Sequence, residues 1–387
     1  MEKIIKFFLI AYFVIFPFGQ LARIPSGIFN LPPEVNFYLT DLVLALLLST
    51  WLVWRLILGR KSYKAPPLAK PVALFALLAT FSLTVNAGRL TDGEVFVAGL
   101  YLIRWVVYAG LYFVISDLKW RGRCFLIWAG VATAGLGLIQ YFFWPDIRPL
   151  QIYGWDIHYY RLVGTLLDPG FTGLVLGLTL ILLVGHVRPK KMPFYVLFSF
   201  MYMALALTYS RSSYLAYLMG MSTLAFLKRS SRLFLVVIVV GILTLAVLPQ
   251  NSGDFSGEGV NLQRQSTVNA RLMNWQQTLQ IIADHSLVGV GFNAYRYIQR
   301  DYGFLGTGWR ITHAGAGADA SLLFVWATTG ILGLTAYLWL WLKAVNVKSL
   351  ILISSITALF VHAFFLNSLF YPWVMGWMWT LLATERS

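Results

Sequence analysis

Charge is scarce in this chain. Only 12% of its residues are Asp, Glu, Lys or Arg, about half the share usual in soluble domains. A soluble fold of 387 residues needs a charged surface, and 30 basic plus 15 acidic side chains cannot cover a chain that is 59% hydrophobic. Soluble multi-domain architectures are therefore excluded. Cysteine is nearly absent too: Cys124 stands alone, which rules out an internal disulfide and any cysteine-based metal cluster. No HExxH helix, paired CxxC, Walker A glycine loop or carboxylate-rich metal cluster appears, so no metal or cofactor is expected.

Long apolar runs are present instead. A spanning helix needs about 20 mostly apolar residues, and twelve runs qualify, near 4–20, 36–58, 71–86, 97–116, 124–143, 170–187, 193–209, 212–227, 233–249, 320–341, 349–366 and 369–384. The first follows Lys3 and Lys6 as a signal peptide would, but no small-x-small cleavage site follows it, so it reads as a retained helix. The fold class expected is an all-α polytopic membrane protein of about twelve transmembrane helices. Residues 1–248 would hold the first nine, residues 249–319 one large partly helical extracytoplasmic loop, and residues 320–387 the last three.

The formal charge of +15 suggests nucleic acid until it is divided between the two sides of this map. All eleven lysines fall in alternate connections, which with eight arginines hold nineteen of the thirty basic residues. By the positive-inside rule that side is cytoplasmic, and both termini lie there. Topology explains these charges, and no nucleic-acid partner follows. One arginine, Arg104, lies within a span. The opposite side has ten arginines and no lysine: Arg23, Arg89, Arg148, Arg161, Arg211, Arg264, Arg271, Arg296, Arg300 and Arg310. Arginine suits bidentate recognition of phosphate, whereas lysine acts as a point charge. The competing reading is that several pair with lipid headgroups or with Asp284 and Asp301.

Arg211, in Tyr209-Ser210-Arg211-Ser212-Ser213, stands between two apolar runs. Near hydrocarbon it requires a partner, and hydroxyls cannot neutralise it. An anionic ligand and a structural role stand level. Arg161 precedes a span similarly, with an Arg161–Asp168 ion pair as the alternative. Within the large loop, Val268, Leu272, Trp275, Leu279 and Ile282 recur at helical spacing, so an amphipathic helix is expected over about 267–283. Arg271 and Trp275 lie one turn apart on it. For proton transfer, His313 and Asp319 flank Ala314-Gly315-Ala316-Gly317-Ala318 at the entrance of the next span. Asp319 could instead be a helix cap, while His313 has no packing reason to be histidine. His362, alone in a span, reads as a hydrogen-bonded helix residue. With few ionisable groups at mid-span and no internal repeat, a lipid-linked oligosaccharide flippase or other transporter is the weaker alternative.

Four motifs in order resemble the bacterial O-antigen ligase and polymerase superfamily. Arg161-x-x-Gly164-Thr165-x-x-Asp168-Pro169 resembles that family's Arg-x-x-Gly-Thr-Phe-x-Asn-Pro-Asn segment, and Thr208-Tyr209-Ser210-Arg211-Ser212 its Ser-Arg-Gly/Ser motif. Arg271-x-x-x-Trp275 followed by Gly289-Val290-Gly291 resembles its large loop. Asp319-Ala320-Ser321-x-Leu323, then Gly330-Ile331-Leu332-Gly333, resembles the helix entry that reads His-Asn or Asp-Asn before a Gly-Leu-x-Gly turn. Asp168-Pro169-Gly170 departs from Asn-Pro-Asn, and Ser286 replaces a common Pro. The resemblance implies metal-free transfer of a glycan from an undecaprenyl-pyrophosphate donor to an acceptor hydroxyl, with inversion, on the periplasmic face of the bacterial inner membrane. The acceptor would be lipid A-core in a ligase or a growing glycan in a polymerase. Arg211, Arg271 and then Arg161 would hold pyrophosphate, with Arg310 as a further substrate contact. Trp275 would face sugar or prenyl, and His313, ahead of Asp319, would act as base.

Overall fold

The protein is described from a computed structural model, which covers residues 1–29, 31–57, 65–187, 192–248, 260, 262, 265–310, 315–345 and 349–385. Each of the twelve apolar runs overlies a helix: α1 (Glu2–Ile15), α2 (Leu39–Ile57), α3 (Ala69–Asn86), α4 (Asp92–Leu118), α5 (Arg123–Phe143), α6 (Pro169–His186), α7 (Met192–Ala206), α8 (Arg211–Leu227), α9 (Ser231–Val247), α12 (Ser321–Val345), α13 (Leu350–Ala363) and α14 (Pro372–Thr384). Two more, α10 (Ser266–Asp284) and α11 (Tyr295–Asp301), lie in the long connection between α9 and α12, and the only sheet among the described residues pairs β1 (Arg23–Ile24) with β2 (Phe37–Tyr38). Among the described residues, seven helices are long and apolar enough to cross a membrane, α1 (with its 3-10 extension to Ala22), α2, α3, α4, α5, α6 and α12, and α7, α9 and α13 are shorter apolar helices.

Polar side chains start these helices where backbone N–H groups would otherwise go unpaired. Thr91 and Glu94 form a reciprocal capping box on α4, Asp168 caps α6, and Ser210, Ser230 and Ser349 cap α8, α9 and α13. Helix α14 is buried at every residue, and α6 along nearly its whole length between α5, α7, α8 and α13. At the other extreme α9 buries only Val237 and exposes Leu235, Val236, Ile242, Leu243 and Leu245. That much apolar exterior is uncovered in water and covered in hydrocarbon. The protein is a multi-pass membrane protein.

Two glycines lock the long connection onto α12. Read from sequence as one span, α12 is broken at Gly330 (φ +66°), which frees carbonyls in its first half. Val290 and Gly291 donate their N–H groups to the carbonyls of Ala327 and Thr328 at 2.9 and 3.1 Å, and Ile331 donates to the Ser286 carbonyl at 2.9 Å. Gly289 has φ +75°. A Cβ on Gly330 would overlap the Leu287 carbonyl, and one on Gly289 would meet the backbone of Thr328 and Gly330. From α3, Ser82 Oγ donates to the Val288 and Thr328 carbonyls, and Asn86 Nδ2 to that of Gly289. This docking holds α10 against α12.

The apolar stripe of α10 faces two ways. Ile282 is buried, but Val268, Leu272 and Leu279 stay more than 40% exposed. Thr267, Ala270, Arg271, Asn274 and Gln277 turn toward the cleft described below.

Gly330→Ala should lower the melting midpoint of the purified protein, because positive φ alone costs a non-glycine residue on the order of 1–3 kcal/mol and overlap with Leu287 adds to it. Gly99→Ala, whose Cβ meets nothing within 4 Å, should leave the midpoint unchanged. Equal midpoints for the two variants would contradict the docking account.

Candidate functional site

Four alternate connections, α1–α2, α5–α6, α9–α12 and α13–α14, converge with α4 on one cleft of about 1080 Å³. Its ionisable lining includes Arg104, Asp156, His158, Arg161, Asp168, Arg271 and Asp319. Sequence reading placed Arg161, Arg271 and Asp319 in the site, and the structure brings all three to this cleft.

Arg161 is buried, at 6% exposure. Its Nε donates to the Thr208 carbonyl at 3.1 Å and its Nη2 to that of Tyr209 at 3.3 Å, while Nη1 lies 3.4 Å from His158 Nδ1. Tyr209 has φ +50°, so Arg161 clamps the strained turn that leads into Ser210 and Arg211. Asp168 acts differently from the ion-pair partner considered above. Its Oδ1 accepts from the N–H groups of Gly170 and Phe171 at 2.7 and 2.9 Å, capping α6, and Arg161 acts on it through space.

Arg211, the other predicted pyrophosphate ligand, opens α8 and is not part of the cleft lining. Its Nη2 donates to Thr267 Oγ1 at 2.7 Å and Nη1 to the Leu262 carbonyl at 3.1 Å. Thr267 lines the cleft. Arg211 itself lines a second, apolar cavity of about 460 Å³ between α7, α8 and α9, with Leu205, Leu218, Val237 and Ile242 among its walls.

Asp319 lies two residues ahead of α12, and its N–H donates to Asn274 Oδ1 of α10 at 2.8 Å. Burial pushes its carboxyl up to about 6, against the downward pull of Arg271 and with smaller upward contributions from Asp156 and Asp168. Asp156, though its side chain reaches solvent, is also raised, by its surroundings and by Asp168, and lowered in part by Arg161. Burial lowers Arg271, Asp319 raises it, and the nearby Arg211 lowers it again. Asp168 thus makes Asp156 harder to ionise, and both together do the same to Asp319. Among the described residues no group of three or more His, Cys, Asp or Glu could hold a metal ion.

Other candidates fall elsewhere. His313 and Arg264 lie outside the described residues. Trp275 is not in the cleft lining, and its buried indole N–H has no hydrogen-bond partner among the described residues. Arg310 is 3.4 Å from Glu34 Oε1 and stacks on Trp309. Arg148 and Arg300 form local ion pairs with Asp146 and Asp301, and Arg300 also with Glu94. His362 is hydrogen-bonded as expected: its Nδ1 is 2.6 Å from Ser368 Oγ, and its Nε2 lies 3.3 and 3.4 Å from Ser213 and Ser212. Sequence reading missed Asp156, Asn274 and Gln299. Nothing local marks them; they matter because the fold brings separate connections together.

Residues 194–338 match the family model described as O-antigen ligase. This segment is similar to the O-antigen ligase family. The match covers less than half of the chain, from α7 to the middle of α12, and contains Arg211, Arg271, Asp319 and both docking glycines. No curated protein matches the chain. Arg161, Asp156 and Asp168 lie ahead of the ligase-family segment yet complete its cleft.

Arg161→Ala should destabilise the protein by roughly 2–3 kcal/mol, since its charge-assisted hydrogen bonds hold buried carbonyls, whereas Arg271→Ala should change stability by less than half of that. Thermal melting of both purified variants tests this; equal losses would mean that Arg161 does not clamp the turn.

Proposed function

We propose that the protein transfers a glycan from an undecaprenyl-pyrophosphate donor to an acceptor hydroxyl, as an O-antigen ligase with a lipid A-core acceptor. In this reading it crosses the bacterial inner membrane twelve times, with both termini cytoplasmic and the cleft facing the periplasm. The observation that carries it is the pairing of Arg271 with a raised carboxyl, Asp319, in one cleft within the ligase-family segment.

Arg271 and Arg211, close enough to depress the Arg271 ionisation, form a cationic end suited to a diphosphate. Arg211 also fronts the apolar cavity between α7, α8 and α9, so a lipid tail there and a headgroup in the cleft meet at one side chain. The acceptor hydroxyl attacks the anomeric carbon as the sugar–phosphate C–O bond breaks. The bonding pair leaves with undecaprenyl pyrophosphate, whose charge the arginines stabilise in a site of low dielectric, and the hydroxyl proton passes to the base. With an ionisation near 6, Asp319 is deprotonated at neutral pH yet more basic than an ordinary carboxylate, as general-base catalysis favours. His313 competes for this role. Arg161 would shape the Arg211 turn more than it touches substrate.

Arg211→Ala and Arg271→Ala should each reduce transfer in membranes at least a hundredfold while the protein stays folded; near-normal product would sink the pyrophosphate assignment. The base must be ionised to act, so kcat/KM should rise with pH, with a midpoint near 6. Asp156→Asn removes a charge that holds the Asp319 carboxyl up and should move that midpoint lower. An unmoved midpoint, together with a pH limb lost on His313→Ala, would give the role to His313. Purified protein with a lipid-linked repeat unit should yield product only when lipid A-core is added; a ladder without core would mark the same scaffold as a polymerase.

A further inference from the structure

The cleft lining is chemically of two kinds. Beyond Arg271 and Asp319, the lining takes in Tyr371, Gln20, Asn36 and Tyr38, with Tyr101 and Arg104 of α4 and Gln299 of α11. Contacts link several of these residues: Gln20 Nε2 donates to Tyr371 Oη at 3.3 Å, Tyr38 packs on Trp373 beside Tyr371, and Arg104 stacks on both Tyr38 and Tyr101. Here the cations are matched by carboxylates. Arg104 pairs with Asp41 at 2.7 Å, Arg310 lies against Glu34, and Arg300 pairs with Glu94. Among the described residues, four side-chain carbonyl oxygens of the cleft lining, on Gln20, Asn36, Gln299 and Asn367, are buried without a hydrogen-bond partner. Gln20 and Gln299 are 8% and 1% exposed.

Buried carbonyl oxygens without donors are costly and demand a ligand that brings O–H or N–H groups. A phosphate, which offers only acceptors at its charged oxygens, does not supply them. A saccharide does, and Tyr38, Tyr101 and Trp309 add aromatic faces to the same lining. In an inverting displacement the nucleophile enters opposite the leaving group. With the diphosphate at Arg271 and Arg211, the attacking sugar needs a part of the cleft that those arginines do not occupy.

We propose that the arm of the cleft lined by Gln20, Asn36, Tyr38, Tyr101 and Gln299 is the acceptor-saccharide subsite, and that Gln20 and Gln299 set acceptor specificity by taking hydrogen bonds from its hydroxyls. The inference rests on the glycan-transfer reading for the word acceptor, but not for the binding of a sugar.

Two measurements on the intact protein in lipid nanodiscs test it. In transfer assays, Gln20→Leu and Gln299→Leu should each raise the acceptor KM by about tenfold or more, as expected for one lost hydrogen bond to a buried group, and leave the donor KM unchanged. An unchanged acceptor KM in both, with turnover intact, would overturn the subsite and leave the transfer reading standing. In saturation-transfer NMR without donor, a panel of hexose, N-acetylhexosamine and deoxyhexose trisaccharides should show binding that Gln299→Leu abolishes and Arg271→Ala retains. No binding by any of them, or loss on Arg271→Ala alone, would also overturn the subsite. Binding with this pattern, but no turnover with any lipid-linked donor, would uphold the sugar site and defeat the transfer reading.

Discussion

The backbone contact between Gly289 and Gly330 is the constraint on which the site depends. Breaking α12 at Gly330 leaves carbonyls of its first half without helical partners, and the N–H groups of Val290 and Gly291 satisfy them. Backbone can approach backbone this closely only where no Cβ intervenes. Since α10 ends at Asp284, five residues before Gly289, the contact sets where α10 lies against α12. It thereby brings Arg271 on one helix into electrostatic contact with Asp319 at the head of the other.

The arginines, alike in sequence, divide by what the fold places beside them. Arg148 and Arg300 meet carboxylates within two residues of themselves and are accounted for locally. Arg161 is consumed by carbonyls of the α7–α8 turn. Arg211 divides its bonds between Leu262 and Thr267 at the edge of an apolar cavity, and Arg271 alone confronts the raised carboxyl of Asp319. Lysine could not substitute in the Arg161 clamp, because a point charge cannot serve two carbonyls and an imidazole from one rigid fork.

Carboxylate crowding accounts for the chemistry available. Asp156, Asp168 and Asp319 come from two connections more than a hundred residues apart, and their mutual repulsion adds to burial in raising Asp156 and Asp319. Asp168 escapes its usual freedom by accepting two N–H groups as the cap of α6. A carboxyl that stays basic beside an arginine suits general-base chemistry next to an anionic group.

Composition and apolar periodicity were sufficient for the membrane class, the helices and their approximate bounds, because a bilayer demands long apolar segments that sequence displays directly. They also pointed to Arg161, Arg271 and Asp319, which the fold brings to one cleft. The α10 periodicity was legible but its facing was not: Val268, Leu272 and Leu279 look outward, and the polar side of the helix faces the site. The break in α12 needed the partner backbone to explain it. Gln20, Asn36, Asp156 and Gln299 look like ordinary loop or helix residues until four distant connections close on one cleft. Such residues gain their chemistry from burial and neighbours, and those are properties of tertiary structure alone.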